Sequence, residues 1–306
     1  MQMNYHNPVL LKESIDGLSI KEDGVYVDVT FGGGGHSREI LKRLGAHGKL
    51  FAFDQDPDAL GNLIEDDRFV LIPENFRFIS RFLRFHRIKK VDGVLADLGV
   101  SSHQFDEAER GFSIRFDGDL DMRMNQKSKI SAKEIINNYT EEKLAEILFL
   151  YGELRNSRNI AKTIVEKRAE NKIETSFQLR EVLQKYLPNA KEHKILAQIF
   201  QAIRIEVNEE LDALREFLEQ MPGLLTKEGR LSVISYHSLE DRLVKRFIRT
   251  GMFRGELEKD VFGNTKEPLQ KVGKLMVPSA EEIKINNRAR SAKLRIATLK
   301  KPRVKE

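Results

Sequence analysis

Residues 25–54, VYVDVTFGGGGHSREILKRLGAHGKLFAFD, decide the fold, because two β-rich runs flank four glycines and a helical pattern. We predict strands at residues 25–29 and 50–53, with a helix at residues 37–44 between them. Glycines let the backbone approach a ligand closely, and a helix N-terminus offers free N–H groups. A strand, a glycine turn, a helix and a second strand that ends in an acid are typical of a nucleotide-like cofactor site.

The same alternation continues through the first hundred residues. Further strands are predicted at residues 69–72 and 91–96, and helical stretches at residues 57–65 and 76–85. Such alternation implies a parallel sheet with right-handed crossovers. In sheets of this kind, ligands bind at the carboxyl ends of the strands.

From about residue 106 to residue 208 the pattern becomes helical. Thr140 is a candidate N-cap, Thr175 and Gln178 form a capping-box pattern, and one long apolar stripe runs from Ile199 to Leu218. We interpret this segment as a helical insertion. Strand patterns return at residues 231–235 and 293–299, with a helix at residues 238–248. The sheet is therefore begun before the insertion and completed after it.

Composition excludes several classes of protein. The chain has 306 residues, 40% hydrophobic and 32% charged, which suits one large domain or two modest ones. It has no cysteine, which excludes disulfides, thiolate metal sites and cysteine nucleophiles. No apolar run approaches the length of a membrane span, and no signal-peptide pattern is present. We therefore expect a cytoplasmic protein with no membrane partner.

The formal net charge of +5 is unevenly distributed along the chain. Five cations cluster after the third predicted strand, at Arg81, Arg84, Arg87, Lys89 and Lys90. A second basic segment lies between the acids at positions 282 and 306. Both would attract a polyanion, although a solvated face with a basic tail explains the charges equally well.

The glycine loop favours one cofactor over another. The dinucleotide fingerprint G-x-G-x-x-G fails, because Ser37 stands at its third glycine position. Asp28, just before the loop, would repel a pyrophosphate, whereas Asp54 suits the hydroxyl groups of a ribose. These residues favour S-adenosylmethionine, which carries no phosphate, and a nicotinamide dinucleotide is the alternative.

Asp97 ends the fourth predicted strand, which a parallel sheet places beside the first. Its carboxylate would then face the reacting end of the cofactor, as a base or as a hydrogen-bond acceptor for an amino group. A carboxylate that only orients the ligand, or that caps the next turn, is the alternative. We expect His36 to contribute its backbone N–H, with the imidazole fastening the loop.

The segment SYHSLEDR, residues 235–242, follows the late strand. Ser235, Tyr236 and His237 are candidates to line the pocket of a planar substrate. A Ser-His-Asp hydrolase is disfavoured because no G-x-S-x-G elbow precedes these serines. Ser238 has the position of a helix N-cap, and no spacing in the chain indicates a metal site.

Several motifs in a fixed order carry a family resemblance. They are HNPVLL (6–11), DVTFGGGGHS (28–37), FDQDP (53–57), DLGVSS (97–102), DEAERGFS (106–113), LDMRM (120–124), YGE (151–153), FQAIRIEVN (200–208), SYHSLEDR (235–242) and RARS (288–291). Together they resemble the bacterial 16S rRNA (cytosine-N4)-methyltransferase family, known as RsmH or MraW. Val29 and His103 depart from it, since the family usually has Gly and Pro at these positions.

The resemblance implies an α/β fold, namely a Rossmann-like class I methyltransferase with a seven-stranded, mostly parallel sheet and an inserted all-helical domain. Residues 1–105 and 208–306 would form the methyltransferase domain, and residues 106–207 the helical substrate-recognition domain. The implied reaction moves a methyl group from S-adenosylmethionine to N4 of a specific cytosine in the decoding region of 16S rRNA, within the small ribosomal subunit. Whether the protein forms a homodimer is not decided by the sequence.

The same resemblance implies a set of site residues. The cofactor contacts carried over by motif are Gly34, Gly35, His36, Asp54, Phe76, Asp97 and Gln104. Phe76 would stack on adenine, and Gln104 would close its loop over the ligand. We hypothesise that Asp97 is also the catalytic acceptor for the amino group of the cytosine.

Three other functions compete with this interpretation. A nicotinamide-dependent oxidoreductase would use the same fold, and a non-enzymatic RNA-binding protein would explain the basic tail. The latter leaves Asp54, Asp97 and the glycine loop without a role. A DNA amino-methyltransferase shares the chemistry but usually carries a Pro-Pro-aromatic motif after the acid of the fourth strand, where this chain has Leu98-Gly99-Val100.

Overall fold

The computed structural model describes residues 8–255 and 267–300, apart from the side chain of Ser102. Two parts of the sequence analysis, the start of the HNPVLL motif and the basic residues after Lys300, lie outside the described residues. The seven strands found in the described part are β1 (Val25–Asp28), β2 (Lys49–Phe53), β3 (Phe69–Ile72), β4 (Val91–Asp97), β5 (Leu225–Ser235), β6 (Leu269–Met276) and β7 (Lys293–Leu299).

Helices connect these strands and fill the segment between β4 and β5. The α-helices are α1 (Leu11–Leu18), α2 (Gly35–Arg43), α3 (Ile79–Phe85), α4 (Ser102–Asp106), α5 (Ala132–Asn138), α6 (Glu141–Leu150), α7 (Ser157–Glu170), α8 (Ser176–Val182), α9 (Glu192–Asn208), α10 (Glu210–Leu224), α11 (Ser238–Thr250) and α12 (Ala280–Ile285). Short 3₁₀ helices lie at Pro57–Asn62, Phe76–Phe78, Ala108–Arg110, Gln184–Tyr186 and Asn287–Ser291.

The seven strands form one sheet in the order β3-β2-β1-β4-β5-β7-β6. Neighbours from β3 to β5 are parallel, and β7 is antiparallel to both β5 and β6. The predicted seven-stranded, mostly parallel α/β sheet is confirmed. The chain leaves β1 toward one edge and β4 toward the other, so the carboxyl ends of β1 and β4 form the switch point where ligands bind in such sheets.

Alternating side chains give the sheet two apolar faces, as the period of a strand requires. Val27, Phe51 and Phe53 pack into one buried cluster together with side chains of α3, α10 and α11. Tyr26 and Leu50 point to the other face, where α1 and α2 cover them. Helices therefore cover both faces, which explains why the strands are apolar along nearly their whole length.

The contacts divide the chain into two compact units, Met1–Gly99 with Leu211–Glu306, and Val100–Glu210. The second unit has its own buried core, built by α5 to α9 and the segment around Leu120. Its described residues contain helices and one isolated bridge between Asp119 and Thr175. The predicted boundaries after residues 105 and 207 lie close to these limits, and the substrate-recognition role of the insertion stays a prediction.

The two predicted N-caps inside the helical insertion are confirmed. Thr140 caps α6, because its side chain accepts a hydrogen bond from the Lys143 backbone N–H, and Thr175 forms the predicted capping box with Gln178. The long apolar stripe is divided between two helices, because Glu209 adopts a left-handed φ of 49°. The N-cap of α11 is His237 and not Ser238.

Two further elements differ from the sequence prediction. The helical pattern after Asp56 forms only a 3₁₀ turn, Pro57–Asn62. The edge strand β6 was not predicted, because most of its residues are exposed or partly exposed and it has no apolar run. No helix in the described ranges is long and apolar enough to cross a membrane.

Candidate active site

Three predicted acids meet at the carboxyl edge of the sheet. Asp28 ends β1, Asp54 directly follows β2, and Asp97 ends β4. Since β1 pairs with both β2 and β4, these acids follow adjacent strands. The glycine loop lies between Asp28 and α2, so one short stretch of backbone borders all three.

The glycine loop turns tightly before α2. Gly34 has a φ of 74° and is the N-cap of α2, while its N–H donates to the carbonyl of Phe31 at 2.7 Å. A Cβ at this position would lie 2.9 Å from the Phe31 ring and from the Arg38 guanidinium. The first helical bond runs from the Arg38 N–H to the Gly34 carbonyl, so the preceding N–H groups of α2 are open to a ligand.

Asp28 forms hydrogen bonds with the glycine loop and with the start of α2. Its buried carboxylate accepts hydrogen bonds from the Ser37 hydroxyl at 2.7 Å and the Thr30 N–H at 3.1 Å. Burial raises the pKa of this carboxyl group, and the two hydrogen bonds oppose the shift. Both carboxylate oxygens therefore hold the loop and the start of α2, and a role of Asp28 in the choice of cofactor stays a prediction.

Asp54 lies beside the loop with both carboxylate oxygens accepting backbone hydrogen bonds. The donors are the Gly32 N–H at 2.7 Å and the Asp56 N–H at 2.9 Å. Burial raises the pKa of Asp54 to about 6 despite these two donors. The remaining lone pairs of an ionised Asp54 can accept hydrogen bonds from ribose hydroxyl groups.

Phe76 begins a 3₁₀ turn after β3 and is half-buried. Its ring packs edge-on against Phe217, with centroids 5.4 Å apart. Asn75 caps the turn, since its side-chain oxygen accepts from the Arg77 N–H and its amide donates to Gln55 at 2.9 Å. This turn keeps an aromatic ring near the ends of β2 and β3, the position that the predicted adenine contact requires.

Asp97 has a close partner that the sequence argument did not assign. The Tyr236 hydroxyl donates a hydrogen bond to Asp97 Oδ1 at 2.8 Å, and the Asp97 N–H donates to the Thr30 hydroxyl at 2.7 Å. Burial is the main cause that raises the pKa of Asp97 to about 7, and the carboxylates of Asp28 and Glu240 add to it. The side chain is 21% exposed, so one edge of the carboxylate is open to solvent.

The imidazole of His36 is neutral in this environment. Burial lowers the pKa of His36 to about 4, so its Nε2–H donates to the Val9 carbonyl at 3.2 Å. The unprotonated Nδ1 then faces Asp97 Oδ2 at 3.8 Å, which is too long for a hydrogen bond and is no ion pair. The interpretation of the ring as a fastener agrees with this geometry.

The structure assigns structural positions to most of the SYHSLEDR segment. The Glu240 carboxylate accepts hydrogen bonds from the backbone N–H groups of Tyr236, at 2.9 Å, and His237, at 3.3 Å. Asp241 accepts from Arg295 at 2.7 Å and lies 3.3 Å from the Lys293 ammonium group. A cleft of about 310 Å³ beside this segment is lined by Tyr236, His237, Ser238, Val277, Arg290, Ser291, Ala292 and Lys293. Ser235 does not belong to this lining, and a pocket for a planar substrate stays a prediction.

A family model described as the MraW methylase family matches residues 3–300. The chain belongs to the MraW methylase family. Two relatives, each named "Ribosomal RNA small subunit methyltransferase H", come from Flavobacterium johnsoniae and Christiangramia forsetii. Each is 66% identical over 295 residues, which is 96% of this chain and 98% of the relative. A solved rRNA methylase from Streptococcus thermophilus is 13% identical, covers 94% of this chain and 95% of its own, and has a TM-score of 0.41.

Membership of this methylase family confirms the family, the fold class and the methyltransferase activity predicted from sequence. It also confirms S-adenosylmethionine as the cofactor. The described residues fit that molecule. The open N–H groups of α2 suit its carboxylate, Asp54 suits its ribose, and Phe76 suits its adenine.

Val29 and Gln104 are two further positions of this methylase that the sequence analysis singled out. The buried Val29 extends the β1 ladder through a 2.9 Å hydrogen bond from its N–H to the Leu95 carbonyl. Gln104 belongs to the second compact unit, where its side chain accepts from the Ser101 N–H at 3.0 Å in a capping box. A cofactor contact by Gln104 stays a prediction.

Tyr236 is the residue whose role the sequence argument missed. The signal was available in principle, because β5 neighbours β4 with Ile234 opposite Asp97, and Tyr236 follows two residues later. To place β5 next to β4 from the sequence, one must know that the helical unit between them adds no strand to the sheet. Local sequence patterns do not give this information. The sequence pattern therefore indicates a polar segment near the site but not the contact of Tyr236 with Asp97.

Proposed function

We propose that this methyltransferase acts on N4 of one cytosine in the decoding region of 16S rRNA within the small ribosomal subunit, in the cytoplasm. The observation that carries the proposal is the Asp97 carboxylate, which ends β4 and accepts a hydrogen bond from Tyr236. The relatives named for the rRNA of the small subunit support the choice of substrate.

The chemistry of an exocyclic amino group explains why an acceptor is needed. The lone pair of cytosine N4 is delocalised into the ring, so the nitrogen is a poor nucleophile. Methylation replaces one of its two protons, and a carboxylate that accepts a hydrogen bond from N4–H raises its electron density and takes up the proton. When bound, S-adenosylmethionine supplies a methyl group already activated by a sulfonium centre.

Asp97 has the protonation behaviour that this role requires. With a pKa of about 7, it can accept a proton near neutral pH and release it to solvent afterwards. The Tyr236 hydroxyl holds one carboxylate oxygen and leaves Oδ2 free of that bond. Burial, which raises the pKa of Tyr236 further above its ordinary value, keeps the hydroxyl protonated and able to donate.

The cleft beside Tyr236 suits a base taken out of the stack. A base inside a duplex cannot reach a buried carboxylate, so the target cytosine must lie in a single-stranded segment or be unstacked. The cleft has a volume of about 310 Å³ and is lined by Tyr236 and the exposed Arg290. An aromatic ring beside a guanidinium suits a nucleobase and its adjacent phosphate.

Substitutions at Asp97 and Tyr236 test the proposal directly. Asp97→Asn and Asp97→Ala are expected to reduce methyl transfer to small ribosomal subunits by at least 100-fold at saturating cofactor, because general-base catalysis contributes about 10²–10⁴-fold. Tyr236→Phe removes a bond that lowers the pKa of Asp97, so its pH–rate profile should shift upward. Near-wild-type turnover by both Asp97 variants would exclude Asp97 as the acceptor.

A comparison of substrates tests the polynucleotide assignment. Small ribosomal subunits, naked 16S rRNA and duplex DNA are each offered to the wild-type protein with labelled S-adenosylmethionine. We expect transfer to the ribosomal substrates and none to the DNA. Preferential transfer to DNA would instead identify a DNA amino-methyltransferase.

A further inference from the structure

The sequence around α3 is strongly basic and contains no acid. Between Glu74 and Asp92 the chain carries six Arg or Lys residues and no Asp or Glu. Two of the six have partners, since Arg77 pairs with Glu216 at 2.7 Å and the Lys90 ammonium donates to the Gly223 carbonyl at 2.8 Å. The other four cations have no such partner among the described residues.

Those four cations and one aromatic ring form what we call the α3 basic surface, defined by Arg81, Arg84, Phe85, Arg87 and Lys89. All five residues are exposed. Among the described residues, the charged groups of the four cations form no ion pair or hydrogen bond, and the Arg81 guanidinium lies 5.9 Å from the centre of the Phe82 ring. Their positive charge is therefore left without a neutralising partner in the described part of the chain.

Phe85 projects from the end of α3 with 79% of its surface exposed, the largest exposed fraction among the large apolar side chains of the described residues. Its ring lies 5.3 Å from His86 at a steep angle, and His86 lies 5.3 Å from the buried Phe51. The Phe85 ring therefore contacts His86, which packs on the core, while most of the ring surface is exposed to solvent. Because this surface is not buried, it does not stabilise the fold through the hydrophobic effect.

We propose that the α3 basic surface is a second RNA-docking surface, which binds phosphates through its cations and stacks an unpaired base on Phe85. This inference rests on the proposed rRNA substrate. Cations without acids attract the phosphate backbone, and an exposed aromatic ring adds the stacking that single-stranded RNA offers. A partner protein would need several acidic side chains to match the four cations. RNA carries a negative phosphate at every nucleotide and therefore matches them without a special arrangement.

The position of this surface predicts which kinetic constant it controls. Lys89 and Lys90 lie immediately before β4, whereas Asp97 ends that strand. Six steps along a strand span about 20 Å, so the C-terminal part of the α3 basic surface, at Arg87 and Lys89, lies near the end of β4 opposite Asp97. It therefore contacts RNA far from the reacting cytosine, and its loss is expected to raise KM without changing kcat.

The experiment compares a triple variant with a control of identical charge change. Arg81→Gln, Arg84→Gln and Arg87→Gln are combined, and the control combines Lys12→Gln, Lys21→Gln and Lys42→Gln, which lie elsewhere in the same unit. KM and kcat are measured with small ribosomal subunits, and Kd with naked 16S rRNA at several salt concentrations. Binding of S-adenosylmethionine by calorimetry verifies that each variant is intact.

We expect the α3 triple variant to raise KM at least 10-fold with kcat unchanged, and the control to change KM less than 3-fold. The slope of log Kd against log salt should fall by about 2 to 3, since each lost phosphate contact contributes about 0.7–0.9. Phe85→Ala alone should weaken rRNA binding about 5-fold or more, the lower limit for loss of one stacked base. Leu63→Ala, an exposed apolar truncation elsewhere in this unit, is its control.

Wild-type KM and salt slope in the α3 triple variant, or equal losses in the lysine control, would overturn the inference. So would a wild-type dimer that Phe85→Ala converts to a monomer without loss of rRNA affinity, because the surface would then bind a second copy. Failure of the wild-type protein to methylate cytosine N4 would contradict the proposed function alone, since rRNA binding by the variants is measured independently.

Discussion

Replacement of Asp97 by asparagine is expected to stabilise the protein while abolishing its activity. The Asp97 carboxyl group is largely buried. Because burial disfavours the ionised form, the pKa of Asp97 rises from the ordinary 3.8 to about 7. This difference corresponds to about 4 kcal/mol in favour of the neutral carboxyl group in the folded state. Asparagine has nearly the same shape, carries no charge and can still accept the hydrogen bond from Tyr236.

The sign of the effect follows from proton linkage. Because the folded-state pKa of Asp97 is raised, the folded protein binds more protons than the unfolded chain between about pH 4 and pH 7. The contribution of Asp97 to stability is therefore fully present below pH 4 and is lost as the pH rises through about 7. The side chain is 21% exposed, so we expect a gain of about 2–4 kcal/mol for Asp97→Asn at pH 8.

Urea unfolding followed by circular dichroism at pH 8 and pH 5 measures this difference. The gain should be largest at pH 8 and smaller at pH 5. Asp66→Asn is the matched control, because the Arg68 guanidinium lowers the pKa of Asp66 to about 2 and its loss should destabilise the fold. Equal or lower stability of Asp97→Asn at pH 8 would refute the electrostatic argument.

Three further predictions concern the cofactor site. Gly34→Ala should weaken S-adenosylmethionine binding at least 10-fold by calorimetry, because alanine is strained at a φ of 74° and its Cβ has no space, whereas Gly61→Ala has open space and should bind normally. Cofactor affinity should fall at least 5-fold between pH 7.5 and pH 5, because Asp54 has a pKa of about 6 and its ionised form is the stronger acceptor for the ribose hydroxyls. A similar fall in Asp54→Asn would contradict this explanation. Phe76→Leu should weaken binding of S-adenosylmethionine, because leucine cannot stack on adenine. Binding of methionine analogues that lack the adenosine group should be unchanged in the same variant.

The sequence was most informative where chemistry depends on local order. A parallel sheet places the residues after consecutive strands on one edge, so the order of the strands alone assigned Asp54 and Asp97 to a common site. The apolar run of β3 and the alternation of apolar and polar residues in β7 predict both strands with their observed limits.

Other features depend on contacts that local patterns do not encode. The partners of Asp28 depend on the rotamer of Ser37 and on the backbone course at Thr30, because the Ser37 hydroxyl and the Thr30 N–H both donate to its carboxylate. The bond between Tyr236 and Asp97 joins residues 139 positions apart. The strand β6 pairs along its backbone at the sheet edge, where little apolar surface marks it in the sequence.

The identity of the methylated atom tests the central claim most directly. Small ribosomal subunits that lack this modification are incubated with the wild-type protein and S-adenosylmethionine, and the 16S rRNA is digested and analysed by mass spectrometry. We predict N4-methylcytidine at one position in the decoding region, and none with Asp97→Asn. A methyl group on cytosine C5, on an adenine, or on many unrelated positions would contradict the account.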